Sequence, residues 1–193
     1  MVPRPFRWVN RLGGCSAAPG MLPWCLMPLA RSLLIKALSV VTTGIYVLTV
    51  RDEDRRHGMS SSWVTQVSGE PPLLMVAVDR QHFTHDIIAR TGRFALHVVG
   101  ERGRHLEEYF VSNKARRPDN LEAVAYEDST GGLPLLPGAL ASLECRVEAS
   151  HTAGDHTLFV ATVEQVTMRR GDRPLTSQDL DYVYVGEVVP RPV

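Results

Sequence analysis

A run of hydroxyl side chains beside an aromatic ring is the first feature of the chain that could bind a small molecule. Ser60, Ser61 and Ser62 are followed directly by Trp63. In an extended segment successive side chains point to opposite faces, so Ser60 and Ser62 are expected on one face and Ser61 and Trp63 on the other. The ordinary alternative is a solvated strand edge.

A second polar cluster precedes a predicted helix and consists of Asp79, Arg80, Gln81, His82 and Thr84. The start of a helix offers unpaired backbone N–H groups and a partial positive charge, which attract anions. Arg80 adds a cation and Thr84 a hydroxyl, and together these groups suit a phosphate monoester. The alternative is that these residues only cap the helix.

The signature motifs of several common enzyme classes do not occur in the chain. It contains no GxxxxGK[ST], GxSxG, HExxH or GxGxxG pattern, which argues against most kinases, hydrolases and Rossmann-type enzymes. His82 and His85 have a spacing that could bind a metal, but no third ligand follows nearby. We therefore predict no metal site.

Composition limits the class of protein and the class of partner. The 193 residues are 44% hydrophobic and 22% charged, as expected of one globular domain. The 21 basic and 21 acidic side chains cancel, so we expect small-molecule ligands, and neither nucleic acid nor a membrane. Cys15, Cys25 and Cys145 form no CxxC pair and are odd in number, which favours a reducing cytoplasm over a disulfide framework.

The N-terminal residues 1–28 are predicted to be a disordered leader or the product of a mis-assigned start codon. Pro23 and Pro28 interrupt their apolar stretch, which argues against a signal peptide. Charges also intervene before the about 20 apolar residues that a transmembrane helix needs. The folded domain is predicted to span residues 29–189, with a tail at 190–193.

Hydrophobic periodicity predicts a helix and three strands in the first part of the domain. The helix covers Leu29–Leu38 and the first strand Val40–Val50. A charged hairpin loop is predicted over Arg51–His57, followed by extended structure over Gly58–Val67. After a proline pair, Leu73–Val78 is the third strand. We expect these three strands to pair as a meander.

The next predicted elements are a helix over Thr84–Thr91, capped by Thr84 and ended by Gly92, a strand around Phe94–Val98, and a helix over Arg104–Asn113. Then Leu143, Cys145 and Val147 alternate with charged residues, which is typical of a strand with one wet face.

A tight turn at Thr152–Asp155 joins that strand to a partner over His156–Met168, and Asp181–Val188 is predicted as the last strand. Some seven strands with short helices favour a mainly β fold, built as a closed or nearly closed antiparallel barrel.

Four segments resemble, in order and spacing, the flavin reductase-like family of FMN-binding split-barrel proteins. They read TTGIYVLTV, HGMSSSWVTQVSGEPPLLMVAVDRQHFTHDII, GRFALHVV and HTAGDHTLFVATVEQV. The resemblance implies an antiparallel Greek-key split β-barrel with short peripheral helices, forming a homodimer with FMN near the subunit interface. It also implies reduction of the flavin by NADH or NADPH, often for a partner two-component monooxygenase.

The resemblance assigns flavin-binding roles to both polar clusters. It places Ser60, Ser61, Ser62 and Trp63 along the flavin ring, and it gives the ribityl phosphate to Asp79, Arg80, Gln81, His82, Phe83 and Thr84. Two departures from the family stand out. Phe83 occupies a position where many members have Arg or Lys, and His97 one where Asn is common, so FMN, FAD and riboflavin all remain candidate flavins.

His156, in the GDH turn, matches a family position beside the nicotinamide, and we predict it as the catalytic residue. The alternative is a histidine at a strand start that the backbone satisfies. Tyr184 is a second candidate for contact with the nicotinamide, with a core or dimer role as its alternative.

Such an enzyme needs little acid or base from the protein, because hydride passes directly between two rings stacked at about 3 to 3.5 Å. Two rival functions share the fold. One is a non-enzymatic, flavoredoxin-like electron carrier that holds FMN tightly. The other is an oxidase such as the pyridoxamine phosphate oxidase-like proteins, since a shared fold does not fix function.

Overall fold

The computed structural model describes residues 30–53, 55–112, 119–169 and 171–191, so the predicted leader lies outside the described residues. The described helices are α1 Arg31–Ser39, α2 Phe83–Thr91 and α3 Arg104–Val111. The strands are β1 Tyr46–Asp52, β2 Arg55–Ser61, β3 Val64–Gly69, β4 Pro72–Asp79, β5 Arg93–Val98, β6 Glu127–Asp128, β7 Pro134–Leu135, β8 Ala141–Ala153, β9 His156–Met168, β10 Tyr182–Tyr184 and β11 Val188–Pro190.

Seven of these strands form one antiparallel sheet in the order β2-β1-β5-β8-β9-β4-β3. Its longest ladder is the β8–β9 hairpin, in which two strands of 13 residues pair from Ala141–Met168 to Ala153–His156. Two short ladders, β6–β7 and β10–β11, lie outside the sheet. The fold is therefore mainly β and antiparallel, as predicted.

Both faces of the sheet are covered, which gives the protein two apolar clusters. On one side Leu48, Phe94 and Phe159 pack with Ile87 and Ile88 of α2. The cluster on the other side includes the following residues from β1, α3 and the segments beyond them: Val47, Leu106, Phe110, Leu121, Leu136 and Leu175. Within the described ranges, no helix combines the length and apolar character needed to cross a bilayer.

The pairings of the predicted meander are confirmed, but its second strand, Gly58–Val67, is divided between the two edges of the sheet. β1 pairs with β2, and β3 pairs with β4, but β2 and β3 are the two outermost strands of the sheet. The predicted run Gly58–Val67 is broken after Ser61, because Ser62 and Trp63 cross from one sheet edge to the other. Alternation of side chains between two faces therefore ends at Ser61.

The charged segment Arg51–His57 is not a loop, although the sequence predicted one. Arg51 pairs with Arg56 and Asp52 with Arg55 in the β1–β2 ladder, and Glu53 takes the positive φ of 51° at the turn. An edge strand tolerates charged side chains because water solvates them. The prediction of a strand from Val40 was also wrong, since β1 begins only at Tyr46.

The predicted end of helix α2 is confirmed, whereas its predicted start is not. Gly92 follows the helix with a φ of 67°, in the left-handed region that glycine favours. The N-cap is His82 instead of Thr84, because the His82 side chain accepts a hydrogen bond from the Thr84 N–H. Thr84 lies in the first turn and is fully buried.

Two later predictions also need correction. Glu144 of β8 is buried, and its carboxylate accepts a hydrogen bond of 2.8 Å from the Ser129 hydroxyl. The strand β8 therefore does not keep one continuous solvent-exposed face. The last predicted strand, Asp181–Val188, is interrupted at Gly186, whose φ is 93°, and forms the β10–β11 hairpin instead.

His97 lies in the core at the centre of a hydroxyl network. Its Nε2 is 2.9 Å from Thr49 Oγ1 and its Nδ1 is 2.9 Å from Ser142 Oγ. The Thr49 hydroxyl also donates to the Pro134 carbonyl at 2.5 Å. Burial lowers the pKa of His97 from 6.5 to about 3. The ring is therefore neutral in the folded protein at physiological pH.

We expect His97 to make the protein sensitive to acid. The unfolded chain takes up a proton at His97 near pH 6.5, whereas the folded chain resists it down to about pH 3. The free energy of unfolding should therefore fall as the pH drops below 6.5 and be unaffected by this group above it. Between pH 7 and 4.5 the wild type should lose about 2 kcal/mol more than His97→Asn, which cannot titrate. Urea unfolding at a series of pH values measures both slopes, and equal slopes would contradict a neutral, buried His97.

Candidate functional site

A cavity of about 800 Å³ lies where β2, β4 and β9 meet the C-terminal segment. Ten of the residues singled out in the sequence line it, namely Ser60, Ser61, Ser62, Trp63, Asp79, Gln81, His82, Phe83, His156 and Tyr184. Arg80 and Thr84 are not among the lining residues. The fold thus brings together groups that are up to 124 positions apart in the chain, from Ser60 to Tyr184.

The hydroxyl run reaches the cavity because β2 ends there. Ser60 and Ser61 are the last ladder residues of β2, opposite Val47 and Tyr46. Ser62 and Trp63 then cross to β3. The backbone of this crossing is fixed at Trp63, whose carbonyl accepts a hydrogen bond of 3.0 Å from the Ala77 N–H. Hydroxyls and an indole ring therefore share one wall of the cavity.

Three rings form a second wall. The ring centroid of Trp63 lies 4.7 Å from that of His156 and 5.2 Å from that of Tyr184. His156 is only 5% exposed, and its Nδ1 donates to an Asp155 carboxylate oxygen at 2.6 Å. Its side-chain partner is thus a carboxylate, whereas the alternative raised from the sequence was a backbone contact. This pairing fixes the plane of the imidazole against Trp63.

The electrostatics around these rings are acidic. Burial raises the pKa of Tyr184, and the nearby carboxylates of Asp79 and Asp155 raise it further. The hydrogen bond from His156 lowers the pKa of Asp155. Among the described lining residues the carboxylates are Asp79 and Glu187, and none of those residues is a lysine or an arginine. The ring wall thus combines aromatic surface with negative charge.

The loop before α2 is tied together by its own hydrogen bonds. The Asp79 carboxylate accepts from the Gln81 N–H at 2.8 Å, and the Asp79 carbonyl accepts from the His82 N–H at 3.0 Å. The Thr84 hydroxyl is hydrogen bonded to His57 Nδ1 at 2.9 Å in the core. Arg80 donates to the Gly154 carbonyl at 3.0 Å, in the turn that precedes His156. Arg80 and Thr84 thus contact the scaffold.

The sequence did not point to the C-terminal wall of the cavity, which consists of Ser177, Leu180, Tyr182, Val183, Gly186, Glu187 and Val188. The Tyr182 hydroxyl donates a hydrogen bond to the buried carboxylate of Glu107 on α3. Burial raises the pKa of Glu107 and, together with that hydrogen bond, raises the pKa of Tyr182. No local pattern could reveal this pair, since 75 positions separate its members.

Arg191, on the C-terminal side of the same wall, stabilises it through hydrogen bonds to backbone carbonyls. Its guanidinium donates to the carbonyls of Leu180 and Ser39, each at 2.9 Å, and also to the Ser177 carbonyl. Arg191 belongs to the tail predicted from the sequence, yet it joins the C-terminal segment to the end of α1. The wall of the cavity is therefore held at both ends.

The described residues contain no cluster of three or more histidines, cysteines or carboxylates that could hold a metal ion. The functional groups of the cavity are hydroxyls, aromatic rings and carboxylates.

Comparisons with known proteins agree with the motifs that the sequence presents. The family model described as a flavin reductase like domain matches residues 38–186. An NADH-dependent flavin reductase of a Rhodococcus species is 37% identical over 136 residues, which cover 69% of this chain and 74% of that protein. The FMN reductase (NADH) SmoA of Agrobacterium fabrum is 35% identical over 136 residues, or 70% of this chain and 76% of that protein.

A solved structure has the same fold. The styrene monooxygenase flavin reductase (SMOB) from Pseudomonas putida S12 superposes with a TM-score of 0.65 and 30% identity, covering 82% of this chain and 97% of that one. The matching segment of the family model includes both polar clusters, the GDH turn and Tyr184. The chain therefore belongs to the flavin reductase-like family.

Proposed function

We propose that this protein is an NADH-dependent flavin reductase that transfers a hydride from nicotinamide to a flavin, with FMN as the expected acceptor. The observation that carries the proposal is the meeting of the hydroxyl wall and the three-ring wall in one cavity. Its relatives in Rhodococcus and Agrobacterium, named as NADH-dependent flavin and FMN reductases, support the same activity.

The cavity suits the ring system of a flavin. Its volume of about 800 Å³ falls in the ordinary range for ligand pockets. Ser60 and Ser62 offer hydroxyls that can hydrogen bond to the polar edge of the ring, beside the indole of Trp63. A bound flavin supplies the redox chemistry itself, so the protein has to bind and orient the two rings.

We assign orientation of the nicotinamide to His156 and Tyr184. Both rings contact Trp63, and the hydrogen bond to Asp155 restrains His156. In this proposal the imidazole face supports the nicotinamide, and the enclosed wall excludes water from the hydride path. Positioning of this kind contributes much of the rate when two reactants must meet in one geometry.

NADH is the proposed electron donor because the charged lining groups are acidic. The described lining residues include the carboxylates of Asp79 and Glu187 but no lysine or arginine that could bind the 2′-phosphate of NADPH. A carboxylate can instead accept hydrogen bonds from the ribose hydroxyls of NADH. The names of both relatives point to the same donor.

The proposal extends to architecture and setting. We infer a split barrel, because the seven-stranded sheet must curl to join β2 to β3 through two residues. A homodimer is supported by apolar side chains that remain exposed on one protomer, among them Leu33 and Leu34 of α1 and Met168 of β9.

Cysteine usage favours the cytoplasm, and the name of SMOB supports delivery of reduced flavin to a partner monooxygenase. Residues 29–189 form the proposed domain.

Turnover with free flavin tests the activity directly. Purified protein is mixed without oxygen with a several-fold molar excess of FMN over protein and at least one NADH per FMN. It should reduce the whole flavin pool, because a reductase releases its product. Absorbance at 340 nm and 450 nm follows the donor and the flavin, and NADPH replaces NADH in a parallel run. Reduction of only one equivalent of flavin per protein would contradict the proposal and favour the electron carrier.

Removal of the His156 ring should impair use of the nicotinamide more than binding of the flavin. We expect His156→Ala to lower kcat/KM for NADH by about tenfold to a hundredfold, since a small misplacement of reacting rings is costly. The Kd of FMN, measured by fluorescence quenching, should change little. His151→Ala, an exposed histidine on the same hairpin, is the control and should keep full activity. Equal activity of both variants would remove His156 from the mechanism.

A further inference from the structure

We propose that this reductase binds its flavin through the ring and ribityl chain, with no contribution from the terminal phosphate, and so accepts riboflavin as readily as FMN. The inference rests on the proposed function, since it names the substrate class of the same cavity. Three features of the described residues lead to it, and each limits one way of binding a phosphate.

The first feature is that four backbone donors at the start of α2 are already used. The N–H groups of Gln81 and His82 donate to Asp79, through its carboxylate and its carbonyl. The Thr84 N–H donates to the His82 ring at 3.3 Å, and the His85 N–H donates to the His82 carbonyl at 2.9 Å. A helix start binds an anion through backbone N–H groups that lack partners, and these four have partners.

The second feature concerns the two side chains that the sequence offered for a phosphate. The Arg80 guanidinium is directed to the Gly154 carbonyl, and the Arg80 backbone N–H donates to Asp155. The Thr84 hydroxyl is buried against His57, away from the cavity. At the intervening position, Phe83 lines the cavity and is 47% exposed, so an apolar ring stands beside the space where a phosphate would lie.

The third feature is the charge of the cavity. Its described lining residues carry the carboxylates of Asp79 and Glu187 and include no lysine or arginine. Glu187 forms an ion pair with Arg31, so that guanidinium already has an anionic partner. A phosphate dianion would meet two carboxylates and neither lysine nor arginine among these described residues. Charge-assisted hydrogen bonds, which make phosphate recognition strong, therefore have no lysine or arginine donor among these lining residues.

The expected behaviour is equal affinity for flavins with and without the phosphate. Quenching of flavin fluorescence should give Kd values for riboflavin and FMN within about threefold, since exposed charges without a fixed partner contribute little. The Kd of FMN should also not rise with added salt, because no attractive ion pair is there to be screened. Binding of FMN at least thirtyfold tighter than riboflavin, lost at high salt, would overturn the proposal.

Lys114, Arg116 and Arg117 belong to residues 113–118, outside the described ranges, and follow the lining residue Ser112 in the chain. A triple change of these three residues to alanine should leave the ratio of the two Kd values unaltered. A ratio that favours FMN in the wild type and disappears in this variant would overturn the proposal and assign phosphate binding to that segment.

A gain of phosphate recognition provides the complementary test. Phe83→Arg would place a cation at the lining position, so FMN should bind about tenfold tighter while riboflavin is unchanged. Phe83→Gln, which removes the ring without adding charge, is the matched control and should keep the two flavins equal. An arginine that tightens neither flavin would show that the phosphate does not lie near this position, which overturns the structural argument.

These binding results can be distinguished from a failure of the proposed reductase activity. Binding of both flavins without multiple turnover would refute the reductase activity and leave the inference on phosphate intact. Rapid reduction of FMN, together with poor binding and slow reduction of riboflavin, would support the reductase activity and overturn the inference on phosphate.

Discussion

The whole structure depends on a two-residue crossing between the two edges of the main sheet. Six gaps between strands would make a flat sheet of this order about 29 Å wide. Three peptide links, from Ser61 to Val64, reach at most about 11 Å. The sheet must therefore curl until β2 and β3 approach each other, in the direction that strand twist already favours. Ser62 and Trp63 form this crossing between the two edges.

That curl accounts for the composition of the cavity. The ends of β2 and β4 and the start of β9 converge where the sheet bends, and they bring hydroxyls, carboxylates and His156 to one place. Trp63 contacts both His156 and Tyr184, so it connects the sheet to the C-terminal wall. The Glu107–Tyr182 hydrogen bond and Arg191 then hold that wall in place. The make-up of the cavity thus follows from topology more than from any local motif.

Local patterns predicted the regular parts of the fold well. The bounds of β9 and the end of α2 at Gly92 were correct, because alternation over 13 residues and a left-handed glycine are strong signals. Arg51–His57 was predicted as a loop, because sequence patterns do not reveal that a charged strand will lie at a sheet edge. The order of strands was also missed, since pairing between distant segments leaves little trace in a single sequence.

The site residues were likewise predicted only in part. The resemblance pointed to twelve residues, namely Ser60–Trp63, the loop Asp79–Thr84, His156 and Tyr184. Ten of these twelve line the cavity. The orientations of Arg80 and Thr84 could not be predicted, because their partners, Gly154 and His57, are distant in the chain. A crystal structure of the protein with FMN tests the account most directly. The account predicts the flavin ring between Ser60–Trp63 and the β10–β11 hairpin, and a ring bound instead in the hollow beside His85 and Phe159 would contradict it.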